Sequence, residues 1–309
     1  MSEAPTVADR PDTDRPATAL VTGTSSGIGF ATVLRLLEDG LHVVAGMRNP
    51  QRDGAALLAA SRTIGSIDEG ALRIVALDVD DDASVAAAFD GIERIDALVN
   101  NAGTSPVGSV EEFGIDRWKA LFETNLFGAV RCMQAAMARF RTQGHGTIVN
   151  ISSIAGRVVV PMFGPYSASK YALEAASEAL AMEARPFGVR VVLIEPGAVR
   201  TPIQQKTTPP PRTSPYRESA KNWGFALGYD HARASDPSLI ADEVAAAVRE
   251  AVTGGAPGAR QRPVGQGCRA MIELRERLGD DAWQELWSAP TAEFLERYRA
   301  LTGIDLRPA

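Results

Sequence analysis

The sequence predicts an α/β fold: a single domain built on one doubly wound parallel sheet, with helices on both faces. Three observations carry this expectation. Short apolar runs of strand length alternate with stretches of helical periodicity. The runs are apolar at successive positions rather than at every second one, as in strands buried on both faces. The first run also passes directly into a glycine-rich turn and then into a helical pattern.

Residues 1–16 are rich in Asp, Pro, Thr and Arg without apolar periodicity, and they read as a mobile tail. Thr18–Thr22 (TALVT) is the first expected strand, and Ile28, Ala31, Val33, Leu34 and Leu37 then recur at helical spacing. Leu41–Gly46, Ala71–Leu77, Ile95–Asn100, Thr147–Ile151 and Val189–Glu195 continue the series of strands. Helices are expected near Ala83–Phe89, Arg117–Arg141 and Tyr166–Arg185. Beyond Glu195, the stretch Thr201–Ala232 reads as irregular, and a segment of that length (201–235) is expected to form a lid over a binding site. Asp242–Val252 reads as a helix and Arg260–Val264 as an edge strand, so residues 17–264 form the expected domain. Residues 265–309 read as a helical extension. Trp283 with Trp287 and Phe294 with Tyr298 have the i, i+4 spacing of an apolar face, expected to cover a sheet edge or a pocket mouth.

Composition narrows the function classes. The 309 residues carry a net charge of −6 and a pI near 5.3, which excludes the clustered basic face of a nucleic-acid binder. No apolar run approaches the ~20 residues of a membrane span, and the polar N-terminus lacks the apolar core of a signal peptide. A cytoplasmic protein is expected. Two cysteines and three scattered histidines provide neither a disulfide framework nor metal-ligand spacing.

The turn Gly23-Thr24-Ser25-Ser26-Gly27-Ile28-Gly29 between strand and helix is where a dinucleotide pyrophosphate meets helix N-terminal N–H groups. Glycine belongs there because a Cβ would keep the backbone from the phosphate. Thr24 and Ser25 offer hydroxyl donors. Its G-x-x-x-G-x-G spacing departs from the commoner G-x-G-x-x-G, and from the G-x-x-G-x-x-G of sugar-nucleotide epimerases. Further along stand Asn100-Asn101-Ala102-Gly103 after an apolar run, Asp78-Val79, and Asn125 in Thr124-Asn125-Leu126. Ser153 lies thirteen residues before Tyr166, Tyr166-Ser-Ala-Ser-Lys170 matches YxxxK, and Pro196-Gly197 precedes Thr201. Over about Thr18–Thr201 the chain resembles the short-chain dehydrogenase/reductase family, with its TGxxxGhG, NNAG and YxxxK motifs. The resemblance implies a Rossmann-type fold that binds NAD(P)(H). It places Asp78 and Val79 near the adenine and Asn101, Ala102 and Gly103 along the adenosine. Pro196, Gly197, Val199 and Thr201 fall on the nicotinamide side, with Thr201 toward the carboxamide.

An NAD-preferring site usually carries an acid about 20 residues past the glycines. Met47 stands at that position and Arg48 follows. A carboxylate would repel a 2′-phosphate, whereas a guanidinium can hold it, so NADP(H) is favoured over NAD(H).

Tyr166 and Lys170, one helical turn apart, share a face. A neighbouring ammonium favours the phenolate of a tyrosine otherwise too weakly acidic for catalysis at neutral pH. Tyr166 is the expected general acid/base, and Ser153 the donor to the substrate oxygen. In the resembled family the lysine also binds the nicotinamide ribose, and the helix asparagine holds a water that links the lysine to solvent. Met162 and Phe163, in the apolar Val158–Phe163 stretch, are expected to face the substrate with Ala198, Val199, Trp223 and Phe225. The expected substrate is a hydrophobic ketone or secondary alcohol, steroid-, retinoid- or polyketide-like. The helix Tyr166–Arg185 carries a stripe of Ala172, Ala175, Ala176 and Ala179, and because members of the resembled family commonly pair this helix, the resemblance implies a homodimer or homotetramer. The alternative is a non-catalytic NADP(H)-sensing regulator, against which the complete set Asn125, Ser153, Tyr166 and Lys170 counts.

Overall fold

The computed structural model describes residues 16–65, 68, 70–201, 213–232, 234–252, 261–265 and 267–307. Almost all of the expected tail, and much of the first part of the expected lid, lie outside the described residues.

Seven parallel strands form one sheet in the order β3-β2-β1-β4-β5-β6-β7. They are β1 (Thr18–Thr22), β2 (His42–Met47), β3 (Leu72–Ala76), β4 (Ala97–Asn100), β5 (Gly146–Ile151), β6 (Val189–Pro196) and β7 (Gln261–Val264). Every strand predicted from an apolar run is present, within two residues at each end. The sheet is Rossmann-like, and its order reverses between β1 and β4. That switch point opens a crevice at the carboxyl ends of the strands, where ligands of doubly wound sheets bind.

Helices cover both faces because both faces of the strands are apolar. On one side α1 (Gly27–Glu38) and α8 (Pro237–Val252) pack with Val21, Val43, Val99 and Ile194 in one apolar cluster. Ion pairs tie the two helices together: Arg35 with Asp242 at 2.7 Å and Arg249 with Asp39. The opposite side carries α3 (Asp82–Asp90), α5 (Gly128–Gln143) and α6 (Gly164–Ala184), which bury Phe89, Met133, Phe140 and Leu173 against Leu20, Leu98 and Ile148.

Four helical expectations are corrected. An unpredicted helix, α2 (Pro50–Ser61), follows β2. It buries little beyond Gly54, Leu57 and Ser61, so its sequence carries almost no apolar period. The continuous helix expected over Arg117–Arg141 is α4 (Ile115–Phe122), a π-helical turn at Glu123–Phe127, and α5. The stretch read as irregular to Ala232 contains α7 (Arg217–Ala232), whose polar composition hid it. The next helix, α8, begins at Pro237, five residues before its expected start.

The segment α9 (Cys268–Ser288), broken into two helical pieces by non-helical backbone at Gly279 (φ +71°), and the helix α10 (Thr291–Thr302) form a cover beside β7. Trp287 stacks at 5.0 Å on Phe294, which lies 5.6 Å from Tyr298. Their apolar cluster includes Val158 from the segment after β5 and Ala226 from α7. Trp283 Nε1 donates to the Val159 carbonyl at 2.8 Å, and Asn222 Nδ2 to the Ala289 carbonyl at 2.9 Å. Among the described residues, no helix is long and apolar enough to cross a membrane.

Candidate active site

A cavity of about 1160 Å³ opens along the carboxyl ends of the strands. The glycine turn and Arg48 line one end, Ser153, Tyr166 and Lys170 line it between, and α7, α9 and α10 wall the other.

The turn after β1 is built around close backbone approaches. Gly23 (φ +68°) and Gly27 (φ +61°) adopt the left-handed conformation. A Cβ on Gly23 would stand 2.8 Å from Ala102 Cα, and one on Gly29 would stand 2.4 Å from Asn101 Nδ2 and 2.5 Å from the Gly23 carbonyl oxygen. The Asn101 side chain explains the second approach, since its Nδ2 donates to the Thr22 and Gly23 carbonyls at 2.9 and 3.0 Å. Thr22 Oγ1 returns the contact by accepting the Asn101 and Ala102 N–H groups at 3.0 Å each.

Gly23, Ser25, Ser26, Gly27 and Ile28 line the cavity, whereas Thr24 and Gly29 do not. Thr24 is buried, and its Oγ1 donates to the Gly46 carbonyl at 3.0 Å, fastening the turn to β2. Ser26 makes no side-chain cap to α1, and the first turn of that helix holds no acidic residue. The N-terminal N–H groups of α1 thus have neither a side-chain acceptor nor a fixed negative charge. The cradle of glycines with an uncapped helix terminus fits a dinucleotide pyrophosphate. Arg48 lies exposed past β2 and lines the same end with Arg52 and Asp53. Arg52, and more weakly Arg48, hold the Asp53 carboxyl below its usual range. Met47 is buried.

Asp78, Val79, Asn101, Ala102 and Gly103 line the wall between, and Pro196, Gly197, Val199 and Thr201 line the side near β6. The Gly197 N–H donates to the Val264 carbonyl at 3.0 Å, which fixes the loop after β6.

Tyr166 and Lys170 project from the first turns of α6, with Lys170 Nζ 5.8 Å from the Tyr166 ring centroid. Lys170 is buried and donates to the Ile151 carbonyl at 2.8 Å. Burial pushes the Tyr166 hydroxyl up to about 12, against which the Ser153 side chain acts. Burial also brings Lys170 down to about 8, while Glu174 acts to raise it. The pair can therefore hold a neutral phenol beside an ammonium at neutral pH. Ser153 follows β5, where its Oγ accepts the Ala155 N–H at 3.1 Å. Asn125 lies in the π-helical turn, 1% exposed and outside the cavity lining. Its Nδ2 donates to the Thr104 carbonyl at 2.9 Å and to Ser169 Oγ at 3.0 Å, and its Oδ1 accepts the Thr104 N–H at 2.8 Å. The side chain thus binds the cavity-wall segment 103–105 to the helix that carries Tyr166 and Lys170.

Phe163 lines the cavity, 5.2 Å from Tyr166 and 5.5 Å from Trp223 between ring centroids. Met162 does not line it. It is buried with φ +67°, and its carbonyl accepts the Gly108 N–H at 2.9 Å. The left-handed backbone at Met162 turns it away while Phe163 faces the opening. Met271, Leu274, Leu301 and Ile304 complete the far wall with Trp287 and Tyr298. The i, i+4 spacing of Trp287 and Tyr298 with their partners signalled an apolar face over a sheet edge or a pocket mouth, whereas Leu301 and Ile304 carried no such signal.

Comparison with known proteins agrees with this architecture. The family model for short chain dehydrogenase matches residues 17–212. An uncharacterized oxidoreductase of Bacillus subtilis, YusZ, is 31% identical over 278 residues, covering 87% of this chain and 96% of its own. The 17-beta-hydroxysteroid dehydrogenase type 1 of Mus musculus is 35% identical over 245 residues, 76% of this chain and 71% of its own. Among solved structures, a short-chain dehydrogenase from Streptomyces avermitilis superposes with a TM-score of 0.73 at 28% identity. That superposition covers 89% of this chain and 98% of the other. With a matching family model over most of its length, a relative matched nearly end to end and the same sheet, this chain belongs to the short-chain dehydrogenase family and is an oxidoreductase.

Proposed function

We propose that this protein interconverts a hydrophobic ketone and its secondary alcohol with NADP(H), using Tyr166 as the general acid and base. The observation that carries the reading is the joint placement of Tyr166, Lys170 and Ser153 along one cavity, between a glycine cradle and an apolar chamber. The nicotinamide, when bound, supplies or accepts the hydride. Ser153 Oγ orients the substrate oxygen by donating a hydrogen bond. The Tyr166 phenol gives its proton to that oxygen in reduction and accepts it in oxidation, and the Lys170 ammonium stabilises the phenolate left behind. Asn125 is a positioning residue that locks α6 against the wall at Thr104.

Preference for NADP(H) rests on Arg48, exposed directly after Met47, which stands where an NAD-selective acid would. The substrate class rests on the chamber: Val158, Val160, Phe163, Trp223, Leu274 and Leu301 offer apolar surface to a bulky carbonyl compound. A steroid-like, retinoid-like or polyketide-like ketone suits it, and the steroid dehydrogenase among its relatives supports that choice. Of the expected lid 201–235, the described helix α7 walls the chamber through Trp223, Ala226 and Leu227 in this reading. Ala172, Ala175, Ala176 and Ala179 lie on the partly or fully exposed side of α6, which supports pairing of two copies there.

The test is a nicotinamide-absorbance screen with NADPH and NADH against steroid, retinoid and β-ketoacyl ketones and the matching alcohols. Oxidation of NADPH by bulky apolar ketones is expected. No absorbance change with any compound and either cofactor would overturn the reading.

A further inference from the structure

Behind Lys170, on the side away from the cavity, two carboxylates are buried together. Glu174 follows Lys170 by one turn of α6 and is 8% exposed, and Glu195 on β6 is fully buried. Both oxygens of Glu195 and Oε1 of Glu174 have no hydrogen-bond partner. A Cβ at Gly156 would stand 3.0 Å from Glu174 Cγ and 3.0 Å from Ser152 Oγ, so the loop after β5 is closed tightly over the pair.

The cation that meets the pair is shared three ways. Arg157 Nη1 lies 3.6 Å from Glu195 Oε1 and donates to Gln261 Oε1 at 3.4 Å, while its Nη2 lies 3.7 Å from Glu276 Oε1 on α9. Gln261 of β7 donates in turn to Glu174 Oε2 at 3.1 Å. The charged or titratable groups around the pair are therefore Lys170 and Tyr171 from α6, Arg157 from the loop, and Glu276 and Arg275 from α9. The Gln261 bond and the Lys170 ammonium favour an ionised Glu174, while the guanidinium at 3.6 Å, shared three ways, is a weak counter-charge for a Glu195 whose oxygens have no donor.

We propose that Glu174 and Glu195 share one proton near neutral pH, held mainly on Glu195, so that Glu174 stays ionised and sets the charge of Lys170 as a positioning residue. The chemistry follows from like charge in a dry site, where one of two carboxyls retains its proton. With the proton on Glu195, the remaining anion belongs to the residue one turn from Lys170, where it favours the ammonium. Burial raises both carboxyls, but Ser152, Gln261, Arg157 and Lys170 act to lower Glu174, whereas Glu174 adds to burial in pushing Glu195 up to about 7.

The inference rests on the assignment of Lys170 to the reacting pair, and both of its readouts are taken without substrate. Infrared spectra of the full chain at pH 6 should show a protonated-carboxyl stretch that fades as pH rises through about 7. The band should be missing from Glu195→Gln, and in Glu174→Gln it should fade at lower pH. Carbon NMR of Lys170 Cε should show its titration midpoint falling from about 8 in the Glu174→Gln protein, by about one pH unit. A spectrum without the band, a band that Glu195→Gln leaves in place, or an unmoved Lys170 midpoint would overturn the proposal. The wild-type band needs no variant, so a poorly folding mutant does not protect the idea. Absence of turnover in the nicotinamide screen, with the band present, would instead overturn the assigned reaction.

Discussion

Tyr166 and Lys170 are neighbours on one helical turn, and burial moves them in opposite directions, the phenol up to about 12 and the ammonium down to about 8. A site tuned this way supplies a proton in reduction only if the phenol itself is the donor. Tyr166→Phe keeps the ring and its 5.2 Å contact with Phe163 and removes only the hydroxyl. Turnover should fall roughly 100- to 10,000-fold with NADPH affinity within a few-fold, measured by steady-state kinetics and by fluorescence titration. In the proposed reading, cofactor choice turns on Arg48, which is exposed just past β2. Arg48→Asp should shift the ratio of kcat/KM for NADPH over NADH by roughly 10- to 100-fold toward NADH, and an unchanged ratio would remove Arg48 as selector. These residues were legible in the sequence because their relations are local: a four-residue spacing, or a position after a strand. Glu195 was not legible as a special residue, since its burial beside Glu174 joins β6 to α6 and exists only after folding. Its pKa rises from 4.5 to about 7 on folding. The native state then binds more protons than the unfolded chain, so this contribution is fully present below pH 4.5 and is lost as pH rises through 7. Denaturant midpoints should show Glu195→Gln more stable than the parent at pH 8, by about 1–3 kcal/mol, with the gap closing toward pH 5.

At the scale of elements, what could be read from sequence followed how much apolar surface each element buries. Strands β1 to β6 are buried nearly end to end except β3, and continuous apolar runs marked them all. Helix α2 buries one leucine and two small residues, so no period of 3.6 rose above its Ala and Gly content. The π-helical turn at Glu123–Phe127 adds one residue to a helical turn without changing composition, which is why a single helix was the natural expectation there. The glycine turn was legible as a tight strand-to-helix connection, but the reason for each glycine was not. Gly29 is excluded from the cavity lining and serves the approach of α1 to the turn. Gly29→Ala would drive a methyl to 2.5 Å from the Gly23 carbonyl, and backbone cannot yield as a flexible side chain would. The element should shift as a unit, costing about 1–3 kcal/mol of stability and weakening NADPH binding at least tenfold by titration. Binding retained at parental strength would show that the cradle tolerates the displacement.

At the scale of the molecule, the two ends of the cavity are built by different parts of the chain. The cofactor end and the Tyr166 site come from strand-end loops and the start of α6, whose positions follow from the sheet. The far chamber is walled by α7, α9 and α10, which hold to the rest through an apolar cluster containing Val158 and Ala226. Trp283 Nε1 adds a hydrogen bond to the Val159 carbonyl, while Asn222 to Ala289 and Thr291 Oγ1 to Glu218 Oε2 at 2.8 Å join the three helices to one another. This division allows chamber size to change without disturbing the reacting groups. Leu301 offers the separate handle, since it lines the chamber from α10 and is only partly buried. Leu301→Trp adds a ring on the chamber side, where open space receives it instead of close-packed core. If the body of a bulky ketone lies in this chamber, kcat/KM for that ketone should fall at least tenfold, as about 1.4 kcal/mol of lost contact would produce. A small ketone that reaches only Ser153 and Tyr166 should keep its rate within a factor of two or so. Steady-state kinetics with a large and a small ketone on both proteins measures the ratio directly. An equal loss for both would mean that the substitution disturbed Tyr166 through Phe163 and Trp223. No loss for either would place the substrate body outside the chamber that α9 and α10 enclose.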